Sequence, residues 1–392
     1  MRGAQIIGSQ ANEVAQPGSY LNALVSADIV ATLRCPQDCD FCWELEPRHA
    51  TGQEQLVQHA AERPVWDADP VKVETFIRGL SPLFQKIVFT GGEPNAYRYL
   101  AAGLKVAREA GFSAIVSTSG LSPAQFAATM PYASRYEVAI DGPRDVHEQS
   151  RQGGRGFGKS GVFDKAIDTL LRAQHARVPV GIRTLVNAST VETVPQIPRM
   201  LREYGVVLGS RVRMKLYQQS PVGPRVALMA AADKHITTSK LLQAALRLRA
   251  QQRNLRIYAS PWRQATHRGA YIQPNGQCYT ILINPETGLP QEVPLGNAYT
   301  AAGPRTLSAN FVRACARRTG YLLVDRETRQ PFDVRQWSMR VLHGQHDDWL
   351  AMDSPAPIAY EQPVDTYTIG QYNWYASNFR LPYDEAASAA LV

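Results

Sequence analysis

The sequence predicts an α/β chain in which six strand-and-helix units build a parallel sheet or partial barrel, followed by a smaller α+β region. Three observations carry that expectation. Short apolar, β-branched runs alternate with helix-length stretches over the first 230 residues, each run ends in a polar or glycine-rich motif, and after Ser220 to Arg225 (SPVGPR) the rhythm changes. Strands alternating with helices of roughly 10 to 15 residues pair in parallel, because right-handed crossovers return the chain to the same edge.

The first strand is read at Asp28 to Leu33 (DIVATL), which stops at a cysteine cluster. A helical pattern at Val71 to Leu80 precedes KIVFT, Lys86 to Thr90, and that strand ends in Gly91, Gly92, Glu93 and Pro94. A helix near Tyr97 to Glu109 leads to FSAIVST, Phe112 to Thr118, and another near Pro123 to Met130 leads to YEVAI, Tyr136 to Ile140, followed by Asp141-Gly142-Pro143. A helix near Val162 to Gln174, the strand Val178 to Val186, a helix near Val194 to Tyr204 and the strand Arg211 to Tyr217 complete the series. In such folds ligands bind beyond the C-terminal ends of the strands. The cysteines, Gly-Gly-Glu-Pro, Thr118-Ser119-Gly120 and Asp141-Gly142 all fall there. Beyond residue 230 an amphipathic helix, Ser239 to Gln251, gives way to Pro- and Gly-punctuated segments, and Glu361 to Val392 is an aromatic tail expected to pack onto the domain. The expected division is a lead-in (1–24), a barrel (25–230) and a C-terminal region (231–392).

Composition narrows the function. With 44% hydrophobic and 19% charged residues the chain can bury a sizeable core. No apolar run reaches the roughly 18 residues of a membrane span, and the N-terminus lacks the apolar centre of a secretory signal, so a cytoplasmic protein without a membrane partner is expected. Lys+Arg 42 against Asp+Glu 34 gives a net charge of +8, most of it arginine. That balance favours acidic partners, but no basic block or basic-aromatic interleaving marks a nucleic-acid groove.

Five cysteines are odd in number and unsuited to a disulfide framework. Cys35, Cys39 and Cys42 fall in one loop, whereas Cys278 and Cys315 stand alone. Three soft thiolates select zinc, copper(I) or an iron–sulfur cluster. His49 could complete a Cys3His zinc site; three cysteines alone would leave one iron of a [4Fe–4S] cluster open. Gly-Gly-Glu-Pro alone reads equally as an ordinary turn.

Together, Cys-x3-Cys-x2-Cys after the first strand, Phe41 before the last cysteine and Gly-Gly-Glu-Pro after the second strand resemble the radical S-adenosylmethionine enzymes over about residues 25 to 225. Asp141-Gly142-Pro143 with His147 and Arg151 resembles the segment after the fourth strand in members with a cysteine-rich C-terminal extension. The resemblance implies a partial (β/α)6 TIM-like barrel with a C-terminal α+β capping domain, one [4Fe–4S] cluster on Cys35, Cys39 and Cys42, and S-adenosylmethionine bound at its open iron. It places Phe41 beside the adenine and Gly91, Gly92 and Glu93 against the methionine amino group. Thr118, Ser119 and Asp141 become further cofactor contacts, with Arg151 and Arg183 on the methionine carboxylate. Ser117 and Asn187 are weaker candidates, and Ala139 stands where relatives often place a serine.

Gly276-Gln277-Cys278, Gly288 and Leu295-Gly296-Asn297 resemble the start of a SPASM/twitch extension, in which a cysteine after a glycine opens a hairpin and Gly-Asn closes it. Two lone cysteines cannot hold a second [4Fe–4S] cluster by themselves. Each reads as a buried apolar residue or, in the catalytic alternative, as the donor of a hydrogen atom to a substrate radical. His343, His346, Asp347 and Asp348 read as a solvated turn. The expected function is hydrogen abstraction from a small, acidic molecule in a biosynthetic pathway, with a redox-neutral outcome such as epimerisation or rearrangement and a flavodoxin or ferredoxin as reductant. Only some 25 residues precede the first strand, too few for a peptide-leader recognition domain. The alternatives are a maturase acting on a ribosomally made peptide and a zinc- or cluster-bearing binding protein without catalysis.

Overall fold

A computed structural model describes residues 25–37, 39, 41–42, 66–80, 84–151, 161–209, 212–219, 236–252, 255–260, 269–283 and 290–318, plus two short strands at 322–323 and 351–352. The strands are β1 (Val25–Thr32), β2 (Phe84–Gly91), β3 (Ser113–Thr118), β4 (Arg135–Ala139), β5 (Val180–Val186), β6 (Val212–Gln218), β7 (Arg256–Ser260), β8 (Gly269–Ile272), β9 (Gln277–Ile283), β10 (Pro290–Asn297), β11 (Leu322–Leu323) and β12 (Ala351–Met352). The helices are α1 (Pro70–Gly79), α2 (Leu100–Glu109), α3 (Pro123–Thr129), α4 (Arg144–Ser150), α5 (Val162–His175), α6 (Ile197–Glu203), α7 (Thr238–Gln251) and α8 (Gly303–Arg318).

The helices start where their caps dictate. The Asp69 carboxylate accepts from the backbone N–H groups of Val71 (2.9 Å) and Lys72 (3.2 Å), with Pro70 at the first helical position of α1. Ser122 caps α3 ahead of Pro123 in the same manner. Both satisfy donors that a helix start leaves orphaned. Helix α2 begins three residues later than its sequence pattern suggests, because Pro94–Ala96 forms a 3-10 turn first.

Strands β1 to β7 lie side by side in chain order, all parallel, so the six expected units are present and α7 delivers a seventh parallel strand. On the other side of β1 the sheet continues through β8, parallel to β1, and then the antiparallel strands β9 and β10, giving the order β10-β9-β8-β1-β2-β3-β4-β5-β6-β7. The division expected at residue 230 therefore does not interrupt the sheet, and later strands flank the barrel on both edges. The hairpin expected at Gly276 to Asn297 is formed by β9 and β10, with Cys278 opposite Gly296 and Gln277 opposite Asn297.

One face of the sheet is dry. Ala27, Ile29, Ile87, Phe89, Val116, Val138, Ile182, Met214, Leu216 and Ile257 pack against Phe76, Leu104, Phe163 and Leu170 of the covering helices. Burial of this apolar area at roughly 25 cal/mol per Å² is what holds the layers together. Along β6 the alternate positions Arg213, Lys215 and Tyr217 are half-buried on the opposite face.

Register places Cys278 on the helix-covered face. Ile29 of β1 stands opposite Ile272 of β8, and Ile272 opposite Cys278 of β9. Cys278 is buried in the same core, and its thiol donates to the Gly276 carbonyl at 3.2 Å. Cys278, weighed as a hydrogen donor, thus lies on the helix-covered side of the sheet. Cys315 falls within α8, but its side chain, like His49, Gly288, His343, His346, Asp347, Asp348, the lead-in 1–24 and the tail 361–392, lies outside the described residues.

Candidate active site

The site is assembled at the C-terminal ends of β1 to β5. Past Thr32 the chain enters the cysteine loop, and the Gly-Gly-Glu-Pro turn after β2 is stitched to it by backbone. The Gly92 N–H donates to the Thr32 carbonyl (2.7 Å) and the Glu93 N–H to the Arg34 carbonyl (2.8 Å). Gly91 has φ +125°, and a Cβ there would collide with the Thr32 carbonyl oxygen. Only glycine supplies this turn.

Glu93 is buried, and its carboxylate accepts from the Thr118 hydroxyl (2.5 Å), the Ser119 backbone N–H (2.8 Å), the Ser119 hydroxyl and the Asn95 N–H (3.2 Å). Burial raises its pKa even so. Thr118 and Ser119 thus brace Glu93 between β2 and β3. Gln37, inside the cysteine loop, is buried and donates to the Ser119 hydroxyl, while the Cys39 thiol donates to the Gln37 side-chain carbonyl at 3.5 Å. This chain from Cys39 through Gln37 and Ser119 to Glu93 ties the loop to two strand ends. Gln37 carried no signal of its own in the sequence beyond lying between two of the cysteines.

On the other flank, Asp141 after β4 is fully buried. Its carboxylate accepts from Arg151 Nε (2.6 Å), the Ser150 hydroxyl (3.1 Å) and the Leu185 N–H of β5 (2.9 Å). Burial alone would push its carboxyl up, but Arg151 and His147 outweigh burial and hold it below the usual carboxylate range. Asp141 is therefore a positioning residue for Arg151, whose guanidinium carbon lies 5.2 Å from the Phe41 ring centroid. Arg151 also sits within electrostatic reach of Cys39 and Cys42. Arg183, the other guanidinium expected at the cofactor, reaches instead from the middle of β5 over the short Ala139 side to donate to the Ser117 hydroxyl. Asn187 organises its own turn by accepting from Ser189 and Thr190.

Do the cysteines suit an iron–sulfur cluster? Cys35, Cys39 and Cys42 share one loop, feel one another's charge, and form no disulfide. Burial pushes the Cys39 thiol well up, with Arg151 opposing. A thiol in that position ionises only if a metal cation replaces the lost hydration. Among the described residues no three His, Cys, Asp or Glu side chains converge on a single ion. The donor set and its positive flank fit a cluster held by three thiolates.

Three cysteines in one loop at the C-terminal ends of parallel strands, braced by a glycine-rich turn, carry the donor set of an iron–sulfur site. Residues 29–201 match the family described as the radical SAM superfamily. The superfamily uses a [4Fe–4S] cluster and S-adenosylmethionine. The chain is 32% identical over 120 residues to Fe-coproporphyrin III synthase of Methanosarcina barkeri, a match spanning 30% of this chain and 29% of that protein. Among solved structures it resembles Streptococcus suis SuiB bound to S-adenosylmethionine, at 13% identity and a TM-score of 0.49 over 65% of this chain and 59% of that one. It also resembles anSMEcpe with bound AdoMet and a Kp18Cys peptide, at 11% identity and a TM-score of 0.46 over 82% of this chain and 96% of that one. No helix among the described residues is long and apolar enough to cross a membrane.

Proposed function

We propose that this chain is a radical S-adenosylmethionine enzyme acting on a small-molecule substrate in a biosynthetic pathway, with a redox-neutral outcome. The observation that carries the reading is the stitching of the Cys35–Cys39–Cys42 loop to Gly92, Glu93 and Ser119 at adjacent strand ends. When bound, the cluster and S-adenosylmethionine supply reductive cleavage of the sulfonium and a 5′-deoxyadenosyl radical that removes a hydrogen atom from substrate.

The chain's own residues do the rest. Cys35, Cys39 and Cys42 would hold the cluster. The turn at Gly91 and Gly92 brings bare backbone to the loop, where carbonyls can accept from an ammonium group. Arg151, fixed by Asp141, sets a guanidinium beside Phe41 where a carboxylate can dock in a bidentate fork. With three of the five cysteines in the loop and Cys278 in the core, a single cluster is the reading supported, which leans the outcome away from net oxidation. A flavodoxin or ferredoxin would deliver the electron, as expected in the cytoplasm.

The test is metal and product analysis of anaerobically prepared protein. The expected result is about four iron and four sulfide per chain, with 5′-deoxyadenosine formed on reduction. The Cys35→Ala, Cys39→Ala and Cys42→Ala variants should each lose both. One zinc per chain and no 5′-deoxyadenosine would overturn the proposal in favour of a binding protein.

A further inference from the structure

Glu93 is saturated. A carboxylate offers about four lone-pair sites, and each is taken: Oε1 accepts from the Thr118 hydroxyl (2.5 Å) and the Asn95 N–H (3.2 Å), Oε2 from the Ser119 N–H (2.8 Å) and the Ser119 hydroxyl. A cationic group arriving at this buried carboxylate finds both oxygens engaged until one donor turns away. The two backbone donors are fixed by the fold, and the Thr118 hydroxyl is held further by accepting from the Gly120 N–H at 3.0 Å. The Ser119 hydroxyl is the donor with a second side chain against it, the carboxamide of Gln37.

Gln37 is buried inside the cysteine loop and meets two of its sulfurs. Its backbone N–H donates to Cys35 Sγ at 3.4 Å, and its side-chain carbonyl accepts from the Cys39 thiol at 3.5 Å. The side-chain bonds all run one way: Cys39 S–H to Gln37 Oε1, Gln37 Nε2–H to Ser119 Oγ, and Ser119 O–H to Glu93 Oε2. A cysteine that ligates metal is a thiolate, which only accepts. Its sulfur would then confront the carboxamide oxygen. Turning the carboxamide end for end relieves that repulsion, because its oxygen and its NH2 nitrogen occupy nearly the same space.

We infer that Gln37 is a positioning residue that reverses this relay when Cys39 becomes a ligand, donating its amide N–H to the Cys39 sulfur and accepting the Ser119 hydroxyl, so that one Glu93 lone pair is released for an ammonium group. The Cys39 thiol proton leaves to solvent as the sulfur bonds to metal; every other change is a rotation. Gln37 thereby makes the buried carboxylate receptive only once the loop is loaded. It also touches the electronics of the site, since partners behind the ligands and hydrogen bonds to their sulfurs help to set a cluster's potential. The inference rests on the proposed cluster and cosubstrate.

Anaerobically prepared protein gives two readouts besides product formation. One is the midpoint potential of the cluster, followed by electron paramagnetic resonance through a redox titration; the other is the affinity for S-adenosylmethionine, read from its effect on the same spectrum. Gln37→Leu removes both ends of the carboxamide but leaves the backbone contact to Cys35. It should move the potential to a more negative value and weaken S-adenosylmethionine by about tenfold, one hydrogen bond to a charged partner. Adding Ser119→Ala removes the competing hydroxyl and should recover that affinity, which a merely disordered loop would not do. Gln37→Met, of equal length, supplies the same comparison if the leucine variant fails to take up iron, and circular dichroism checks the fold of each. An unshifted potential, wild-type affinity in Gln37→Leu, a loss that Ser119→Ala does not reverse, or loss of iron from both Gln37 variants would overturn the inference. Wild-type protein without iron would bring down the enzyme reading as well, whereas iron-loaded wild type beside unshifted variants would bring down the role of Gln37 alone.

Discussion

His147 is held neutral by its surroundings. It is fully buried on α4, its Nδ1 accepts the Asp141 N–H at 3.1 Å, and its ring meets Phe163 edge-on. Burial lowers its pKa to about 4, against the pull of Asp141 and with Arg151 adding to the depression. An unfolded chain takes up that proton near pH 6.5, so the unfolded state binds more protons between about pH 6.5 and 4 and stability falls across that window as pH drops. The loss is on the order of 3 kcal/mol, and below it the depressed Asp141 carboxyl adds a second loss. Urea unfolding from pH 7 to pH 4 should show the first decline, and His147→Phe should flatten it. Asp141→Asn strands the Arg151 guanidinium in a buried site and should cost about 3 to 5 kcal/mol, read by the same titration. Cys278→Ala should cost only about 1 kcal/mol of packing and leave 5′-deoxyadenosine and product yields unchanged; a stalled or diverted product would instead point to the hydrogen-donor role. At this scale the cysteines and the glycine turn were legible because their chemistry tolerates few alternatives. The partners of Glu93, Asp141 and Arg183 were not, because each is met by a residue from a different strand, a pairing that spacing along the chain does not encode.

Elements were legible where periodicity and punctuation agreed. Helices α1 and α3 begin with an acceptor followed by proline, and both start within a residue of their predicted position. Asp69→Ala should therefore cost about 1 kcal/mol through loss of the cap, measured as a fall in melting temperature. Helix α4 was missed because it spans only Arg144–Ser150, too short to show a periodic face, and is fixed by tertiary contacts of His147 and by Arg144 pairing with Asp164. Strands β7 and β8 were missed for a related reason. Each is a short apolar run, Arg256–Ser260 and Gly269–Ile272, whose strand identity depends on the neighbour it pairs with rather than on its own alternation.

For the whole molecule, alternation alone predicted the parallel core, since crossover handedness leaves little choice once six units follow one another. What alternation could not predict is that the chain, after adding β7 beside β6, crosses to the opposite side of the sheet and lays β8 against β1. The sheet is then a continuous body from β10 to β7, and a single cooperative unfolding transition is expected, with iron loss, near-ultraviolet and far-ultraviolet signals moving together in denaturant. Separate transitions for the two halves would show that the C-terminal strands fold independently.

Because β8 occupies the flank of β1, the strand that feeds the cysteines is an interior one. A fragment ending near residue 260 would keep every cysteine of the loop and every strand of the barrel, yet bare the N–H and C=O groups of Ser26 to Ile29 now bonded to β8. Unshielded backbone of that kind recruits other chains. Such a fragment should come out of cells as insoluble aggregate, and the catalytic half of this protein is not separable from its C-terminal third by a cut.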